Sequence, residues 1–182
     1  MGRVLDEITP QIADFIADQR VFFVATAPSG PDGHVNCSPK GLDTFAVLGP
    51  HQVAYLDLTG SGAETIAHLR DNGRITLMFC AFDGKPNIVR LYGRGEAVPV
   101  STPDGAALAA RWPPIPGARA VIRVDVERVS TSCGYAVPQL RYVGDRAQLV
   151  DWAERKGSDG LARYRVENNT ASIDGLPALG SG

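Results

Sequence analysis

Val121-Ile122-Arg123-Val124-Asp125-Val126-Glu127-Arg128-Val129-Ser130-Thr131 is the cleanest alternation in the chain. Ile122, Val124 and Val126 point one way and Arg123, Asp125 and Glu127 the other, the two-residue period of a strand with one buried face. Similar strand chemistry recurs upstream. Val21 to Ala27 is dense in β-formers and ends in the Pro/Gly turn Pro28 to Gly33, after which His34 to Ser38 returns as a hairpin partner. Thr44 to Leu48 and Val53 to Asp57 make a second pair, joined by Gly49-Pro50-His51-Gln52. Ile75 to Cys80 is a near-continuous apolar run suited to an inner strand. The turn Phe82 to Pro86 then leads into a long strand, Ile88 to Val98.

Short helices punctuate this series. Thr9-Pro10 reads as N-cap and first helical residue, with Ile12, Phe15 and Ile16 on one face. Glu64 to Asn72 forms a second helix with Gly73 as its C′ residue, and Thr102-Pro103-Asp104 starts a third that ends before Trp112. Beyond Arg141, Asp145 is expected to cap a helix carrying Leu149, Val150 and Trp152, and Leu161 to Val166 gives another. The irregular stretch Ser172 to Pro177 is expected to pack back on the strands. Six or more strands with hairpin-length links predict a mainly β, antiparallel barrel. The βαβ alternation of a parallel sheet is missing. The expected organisation is one domain over 1–182, with the barrel at about 20–131 and a helical and irregular extension at about 141–182.

Composition narrows the function classes. The 182 residues carry 18 Lys and Arg against 20 Asp and Glu, a net charge of −2, so there is no basic field for nucleic acid or an anionic membrane. Cys37, Cys80 and Cys133 are far apart, and His34, His51 and His68 are scattered, which gives no zinc spacing and no disulfide framework. No apolar run reaches the roughly 18–20 residues of a membrane span. The acidic N-terminal stretch is unlike a secretory signal, and the expected location is cytoplasmic.

The strongest local feature is Leu58-Thr59-Gly60-Ser61-Gly62-Ala63-Glu64-Thr65, between a strand and a helix. Its glycines can adopt positive φ and come close to a ligand, the helix N-terminus suits a phosphate, and Ser61 and Thr65 add hydroxyl donors. An ordinary capped loop would look the same. In Asn36-Cys37-Ser38-Pro39-Lys40-Gly41, Lys40 places a cation where a strand opens into a loop, which suits the negative charge a reduced flavin carries. A Ser-Pro turn with a solvated lysine is the plainer reading. Arg90, on the face of Ile88 and Tyr92, must reach solvent, a carboxylate or an anionic ligand. Cys133 has no histidine beside it and reads as a small buried apolar residue. Asp57 could act as a base, but reads better as serving the loop after it.

The order of these segments resembles the pyridoxamine 5′-phosphate oxidase-like flavin-binding proteins. The resemblance is carried by Val35-Asn36-Cys37-Ser38-Pro39-Lys40-Gly41, Tyr55-Leu56-Asp57 before Gly60-Ser61-Gly62, Asp71 to Phe79, and Val89-Arg90-Leu91-Tyr92-Gly93, and runs from about Gln11 to Val98. It implies a split β-barrel homodimer with FMN, or in some branches a deazaflavin coenzyme, in a cleft between subunits. Cys37, Ser38, Pro39 and Lys40 would border the flavin ring, with Lys40 as the cation. Asp57 and Leu58 lead into the phosphate segment, which Thr59, Ser61, Glu64 and Thr65 match, and Arg90 falls on the strand beside the phosphate and ribityl chain. Glu64-Thr65 stand where the family often has an arginine–lysine pair, so the phosphate charge would be met by Lys40, Arg90 or the partner chain. The C-terminal motif of the true oxidase is absent, which argues against pyridoxamine phosphate as substrate. The implied activity is an FMN-dependent oxidoreductase acting on a small molecule. The alternatives are a non-catalytic flavin-binding or sensing module and a dimeric barrel that has lost its cofactor.

Overall fold

A computed structural model of the chain describes residues 2–180. Met1, Ser181 and Gly182, the ends of the expected 1–182 unit, lie outside the described residues. The elements run β1 (Arg3–Leu5), α1 (Pro10–Ala17), β2 (Phe22–Thr26), β3 (Asn36–Lys40), β4 (Phe45–Gly49) and β5 (Gln52–Leu58). They continue with α2 (Glu64–Asn72), β6 (Arg74–Cys80), β7 (Ile88–Pro99), α3 (Pro103–Ala109), β8 (Ala118–Ser132) and α4 (Gln148–Asn168). Seven strands form an antiparallel path in the order β3-β2-β6-β7-β8-β5-β4, and β1 pairs with β8 beside it. The strands anticipated from hydrophobic period are all present. The three-residue β1 is an addition, because three residues are too few to show a period.

The sheet path is open, yet it curls until its two ends meet. Lys40 on β3 and Asp57 on β5 lie near opposite ends of the strand order, and the Nζ–Oδ1 distance between them is 3.1 Å. The two longest strands make that curvature. β7 has 12 residues and β8 has 15, and their register shifts between Tyr92 and Gly93. A side chain at Gly93 would place its Cβ 2.0 Å from the Asp125 carbonyl oxygen, so the backbones cross at a distance that excludes any other residue. Gly93→Ala is expected to cost about 1–3 kcal/mol through forced backbone separation. A urea midpoint unchanged from the parent protein would refute that close approach.

The interior follows from the alternation. Val24, Val53, Leu77, Leu91, Ile122, Val124 and Val129 are inaccessible to solvent. Ile66, Ala67 and Leu69 of α2 join this core, and so does Ile12 of α1. A smaller cluster of Ala54, Leu56, Trp112 and Val121 lies on the opposite face, with Leu108 and Ala109 of α3 packed against it. The caps read from sequence are in place at α1, where Thr9 accepts from the Ile12 N–H at 3.4 Å, and at α2, where Gly73 takes φ 71°.

The C-terminal extension differs in one detail from expectation. Asp145 does not cap α4; the N-cap is Ala147, whose side chain cannot accept a hydrogen bond. The two anticipated helical pieces are present as the two halves of α4, broken at Gly157 with φ 63° and ψ 177°. The tail then folds back by a bridge between Ala171 and Pro177 and buries Ala178 in the main core. Among the described residues no helix is long and apolar enough to cross a membrane.

Candidate functional site

A cleft of about 620 Å³ opens where the curled sheet is split. Alternation along β3 turns Asn36, Ser38 and Lys40 toward it and leaves Cys37 exposed. Asp57 forms its floor at the end of β5, with Leu58 beside it, and α2 begins at its wall with Glu64 and Thr65. The start of β8 contributes Arg119, which is 6% exposed.

The floor is a buried set of charges. Asp57, 1% exposed, takes Lys40 Nζ on Oδ1 at 3.1 Å and Arg119 Nε on Oδ2 at 2.7 Å. Burial alone would raise the carboxyl pKa. The attraction of Lys40 and Arg119 and their hydrogen bonds outweighs burial and lowers it. Asp57 is therefore a fixed counter-ion rather than a base. Arg119 spends three of its five N–H groups inside the protein: Nε on Asp57, one terminal nitrogen on Asn169 Oδ1 at 2.9 Å and the other on the Gly62 carbonyl at 3.0 Å. Its other two N–H groups, and two of the three on Lys40, have no partner in these hydrogen bonds.

A third cation lies beneath the loop. Arg165 of α4 donates from Nε to Thr59 Oγ1 at 2.9 Å and from a terminal nitrogen to the Ala118 carbonyl at 3.1 Å. Burial first, then the repulsion of Arg119, holds its pKa below the ordinary guanidinium value. Arg165 thus supports the loop from below, while Lys40 and Arg119 meet the one buried carboxylate found among the described residues. Glu64 stands at the rim, where its carboxylate accepts the Ile173 N–H at 3.1 Å. The first turn of α2 has no side-chain cap, so its N–H groups lie open beside Ser61.

Below the wall, Asn36 Nδ2 donates to Thr65 Oγ1 at 3.1 Å and to Thr26 Oγ1 at 3.2 Å, and Ser38 Oγ donates to Asn36 Oδ1 at 3.0 Å. The Tyr55 hydroxyl is buried nearby; burial first, then the charge of Asp57, keeps it protonated well above the usual phenol range.

The structure brings together Ser38, Pro39, Lys40, Asp57, Leu58, Ser61, Glu64 and Thr65 of the sequence-derived set. Thr59 lies just beneath, with its hydroxyl on the Gly117 carbonyl at 2.8 Å. Two of the residues lie outside this cleft, and two further expectations are corrected. Cys37 does not line the cleft: its side chain is exposed, while those of Asn36 and Ser38 on either side of it line the cleft. Arg90 does not line the cleft either: β7 is two strands removed from β5, and Arg90 donates to Ser132 Oγ at 3.1 Å on the outer face. Gly60 and Gly62 both have negative φ, so the loop owes its shape to the carbonyl contacts of Arg119 and Asn169 rather than to left-handed backbone. Cys133 is exposed rather than buried, since it follows the end of β8.

Arg119, Arg165 and Asn169 were missed. Arg119 carried a signal: an arginine two residues before Val121, on the strand whose alternation is clearest. Arg165 and Asn169 carried none, because a helical arginine and an asparagine at a helix end are ordinary residues.

The tail closes the outer rim. His34 donates its N–H to Asp174 Oδ2 at 2.8 Å, and its Nδ1 lies 2.7 Å from Oδ1. That hydrogen bond, then the Asp174 charge, raises the His34 pKa, and the same bond lowers Asp174. The attraction is therefore fully present below the free imidazole value and fades as pH rises through the higher folded value. In Asp174→Asn the His34 pKa is expected to return toward about 6.5, as read from its ring-proton titration by NMR. An unmoved titration would show that the pair does not form in solution.

Comparison with known proteins places this architecture. The family model described as Pyridoxamine 5′-phosphate oxidase matches residues 8–133. A pyridoxamine 5′-phosphate oxidase family protein of Aspergillus flavus, ustO, is 42% identical over 193 residues, which cover 97% of this chain and 77% of the relative. Among solved structures, Group A Streptococcus HupZ aligns at 25% identity with a TM-score of 0.53, over 67% of this chain and 91% of its own. A protein of Lactobacillus delbrueckii, described as a putative pyridoxamine 5′-phosphate oxidase, aligns at 17% identity and TM-score 0.53, over 69% and 94%.

Proposed function

Since the chain belongs to the pyridoxamine 5′-phosphate oxidase family, we propose that its cleft holds FMN and that the protein is an FMN-dependent oxidoreductase acting on a small molecule. The observation that carries this reading is the cationic floor. Lys40 and Arg119 outnumber the single buried carboxylate, Asp57, among the described residues, and the cleft they line also takes in the uncapped start of α2. Such a donor set fits a phosphomonoester, which needs both positive charge and several N–H or O–H donors. It also answers how a loop with Glu64-Thr65 at the helix start can sit beside a phosphate: Arg119 supplies the charge from β8.

FMN, when bound, supplies the hydride or electron transfer, and the protein supplies position and electrostatics. Arg119 and the first turn of α2 are assigned to the phosphate. Lys40, 24% exposed at the mouth, is assigned to the ring end, where its charge stabilises a negative carbonyl edge. Asn36, Ser38 and Thr65 form a polar wall between them.

We further propose that two copies enclose the site. Val35, Tyr135, Val143 and Ile173 are exposed apolar side chains; Val35 adjoins Asn36 and Ile173 lines the cleft itself. Apolar surface next to a cofactor site is suited to a second copy. Gel filtration is expected to report a dimer.

The purified protein is expected to be yellow and to release FMN on acid treatment. A colourless preparation that also fails to bind added FMN would overturn the reading. Lys40→Ala is expected to weaken FMN binding about tenfold, by loss of one charge-assisted contact. A non-catalytic flavin module is favoured by one observation: Asp57 is locked between two cations and Glu64 is engaged with Ile173, which leaves no unengaged carboxylate at the cleft among the described residues. Anaerobic mixing with NADPH or NADH decides, since bleaching supports the enzyme and no response to any reductant supports the module.

A further inference from the structure

We infer that the C-terminal extension is a working part of the cleft: Asn169 and Arg165 are positioning residues that hold Arg119 and the Thr59–Gly62 loop ready for a phosphomonoester. The inference rests on the reading of the cleft as a phosphate site, and it concerns residues outside the 8–133 span matched by the family model.

Asn169 has no solvent exposure, and its amide is used from both ends. Oδ1 accepts from Arg119 at 2.9 Å, and Nδ2 donates to the Gly60 carbonyl at 3.1 Å. One side chain thereby ties the cation to the loop that forms the opposite lip of the same cleft. An amide is suited to this bracket because it pairs an acceptor with a donor; a carboxylate lacks the donor and an alkyl group lacks both. The bracket is itself held. Asn169 ends α4, with its N–H on the Arg165 carbonyl at 2.8 Å and its own carbonyl accepting from Leu179 N–H at 3.0 Å.

Arg165 lies one helical turn earlier and anchors the other end of the loop, through Thr59 Oγ1 at 2.9 Å and the Ala118 carbonyl at 3.1 Å. Ala118 directly precedes Arg119, so Arg165 and Asn169 grip that guanidinium's strand and its head group respectively. A further contact belongs to the same docking: the Ile173 N–H is shared between the two Glu64 carboxylate oxygens, at 3.3 and 3.1 Å. The hydrogen bond fixes where that charge sits at the rim without neutralising it.

A bracket that merely glued the extension to the barrel would affect every ligand of the cleft alike. One that orients the phosphate cation should affect only ligands with a phosphate. FMN and riboflavin share the ring and ribityl chain and differ in that group, so their dissociation constants are compared by flavin-fluorescence titration of the full-length protein, alongside thermal melts. The wild type is expected to prefer FMN. In Asn169→Ala the FMN dissociation constant should rise about tenfold or more while that of riboflavin stays within about twofold.

Asn169→Asp keeps the volume and the acceptor for Arg119 but brings a negative charge; it should lower FMN affinity with riboflavin binding retained, and it decides the matter if the alanine variant does not fold. Parallel weakening of both flavins, or unchanged FMN binding, would overturn the inference and leave the FMN reading standing. A wild type that binds neither flavin, or both equally, would overturn the phosphate reading and the inference together.

Discussion

Arg119→Ala is expected to destabilise the protein by about 3–5 kcal/mol, the range for removing one member of a buried ion pair. The guanidinium is 5% exposed and its partner carboxylate 1%, so water cannot replace what is lost. Three groups change at once: Asp57 keeps only Lys40, while Asn169 Oδ1 and the Gly62 carbonyl lose their donor beside the emptied space. The urea midpoint should fall at an unchanged slope. Arg119→Lys should recover little, because an ammonium cannot span three acceptors that lie in three directions. The double variant Asp57→Ala/Arg119→Ala should cost less than the sum of its parts, because removing both charges leaves neither stranded.

The pH response has a fixed sign. Asp57 is held below the ordinary carboxylate value, so its contribution is complete above about pH 4 and is lost as acid carries the protein down through the folded value. Without Arg119 the burial effect is opposed by Lys40 alone. The Asp57 pKa then rises, and acid unfolding should begin at higher pH. An acid limb that superimposes on the wild-type curve would contradict the buried triad.

The second large effect is expected at Phe79→Ala, at about 3–5 kcal/mol for loss of a buried aromatic ring. Phe79 is 1% exposed, stacks on Phe22 at 5.7 Å and meets Phe45 edge-on at 4.9 Å, while Phe22 in turn meets Tyr55 at 5.4 Å. At about 2–4 °C per kcal/mol for a chain of this size, the melting temperature should drop by roughly 6–20 °C. The cluster also supports the cleft. Phe22 pairs with Lys40 in the sheet register, and Tyr55 is two residues before Asp57 on the same face of β5. A cavity at Phe79 therefore loosens both strands that carry the ion pair across the split. A melting temperature within about 2 °C of wild type would show that the neighbouring rings collapse into the space.

The core strands were legible because each buries one face or both, which writes a period into the sequence. The short helices were legible through their ends: Thr9-Pro10, Thr102-Pro103 and Gly73 are local signals that need no distant partner. What could not be read was contact at long range. Nothing around Lys40 says that its partner is 17 residues away on a strand at the far side of the sheet. Nothing around Asn169 says that it faces Arg119, 50 residues earlier. Arg90 shows the converse: its local setting, an arginine between apolar strand residues, suited a ligand contact, but the strand order places it on the outer face. The glycines of the loop misled for a related reason. Residue type pointed to backbone freedom, whereas the observed conformation is held by a buried guanidinium and an amide.

The reach from Arg119 to Asn169 also matters while the chain is being made. Translation delivers about 5–20 residues per second, so Asn169 leaves the ribosome roughly 3–10 s after Arg119. Every strand of the sheet is available by then, since β8 ends at Ser132. A nascent chain can therefore begin to pair every strand of its sheet before Asn169 has emerged to meet Arg119, so the tie between the two closes late in the life of the new molecule.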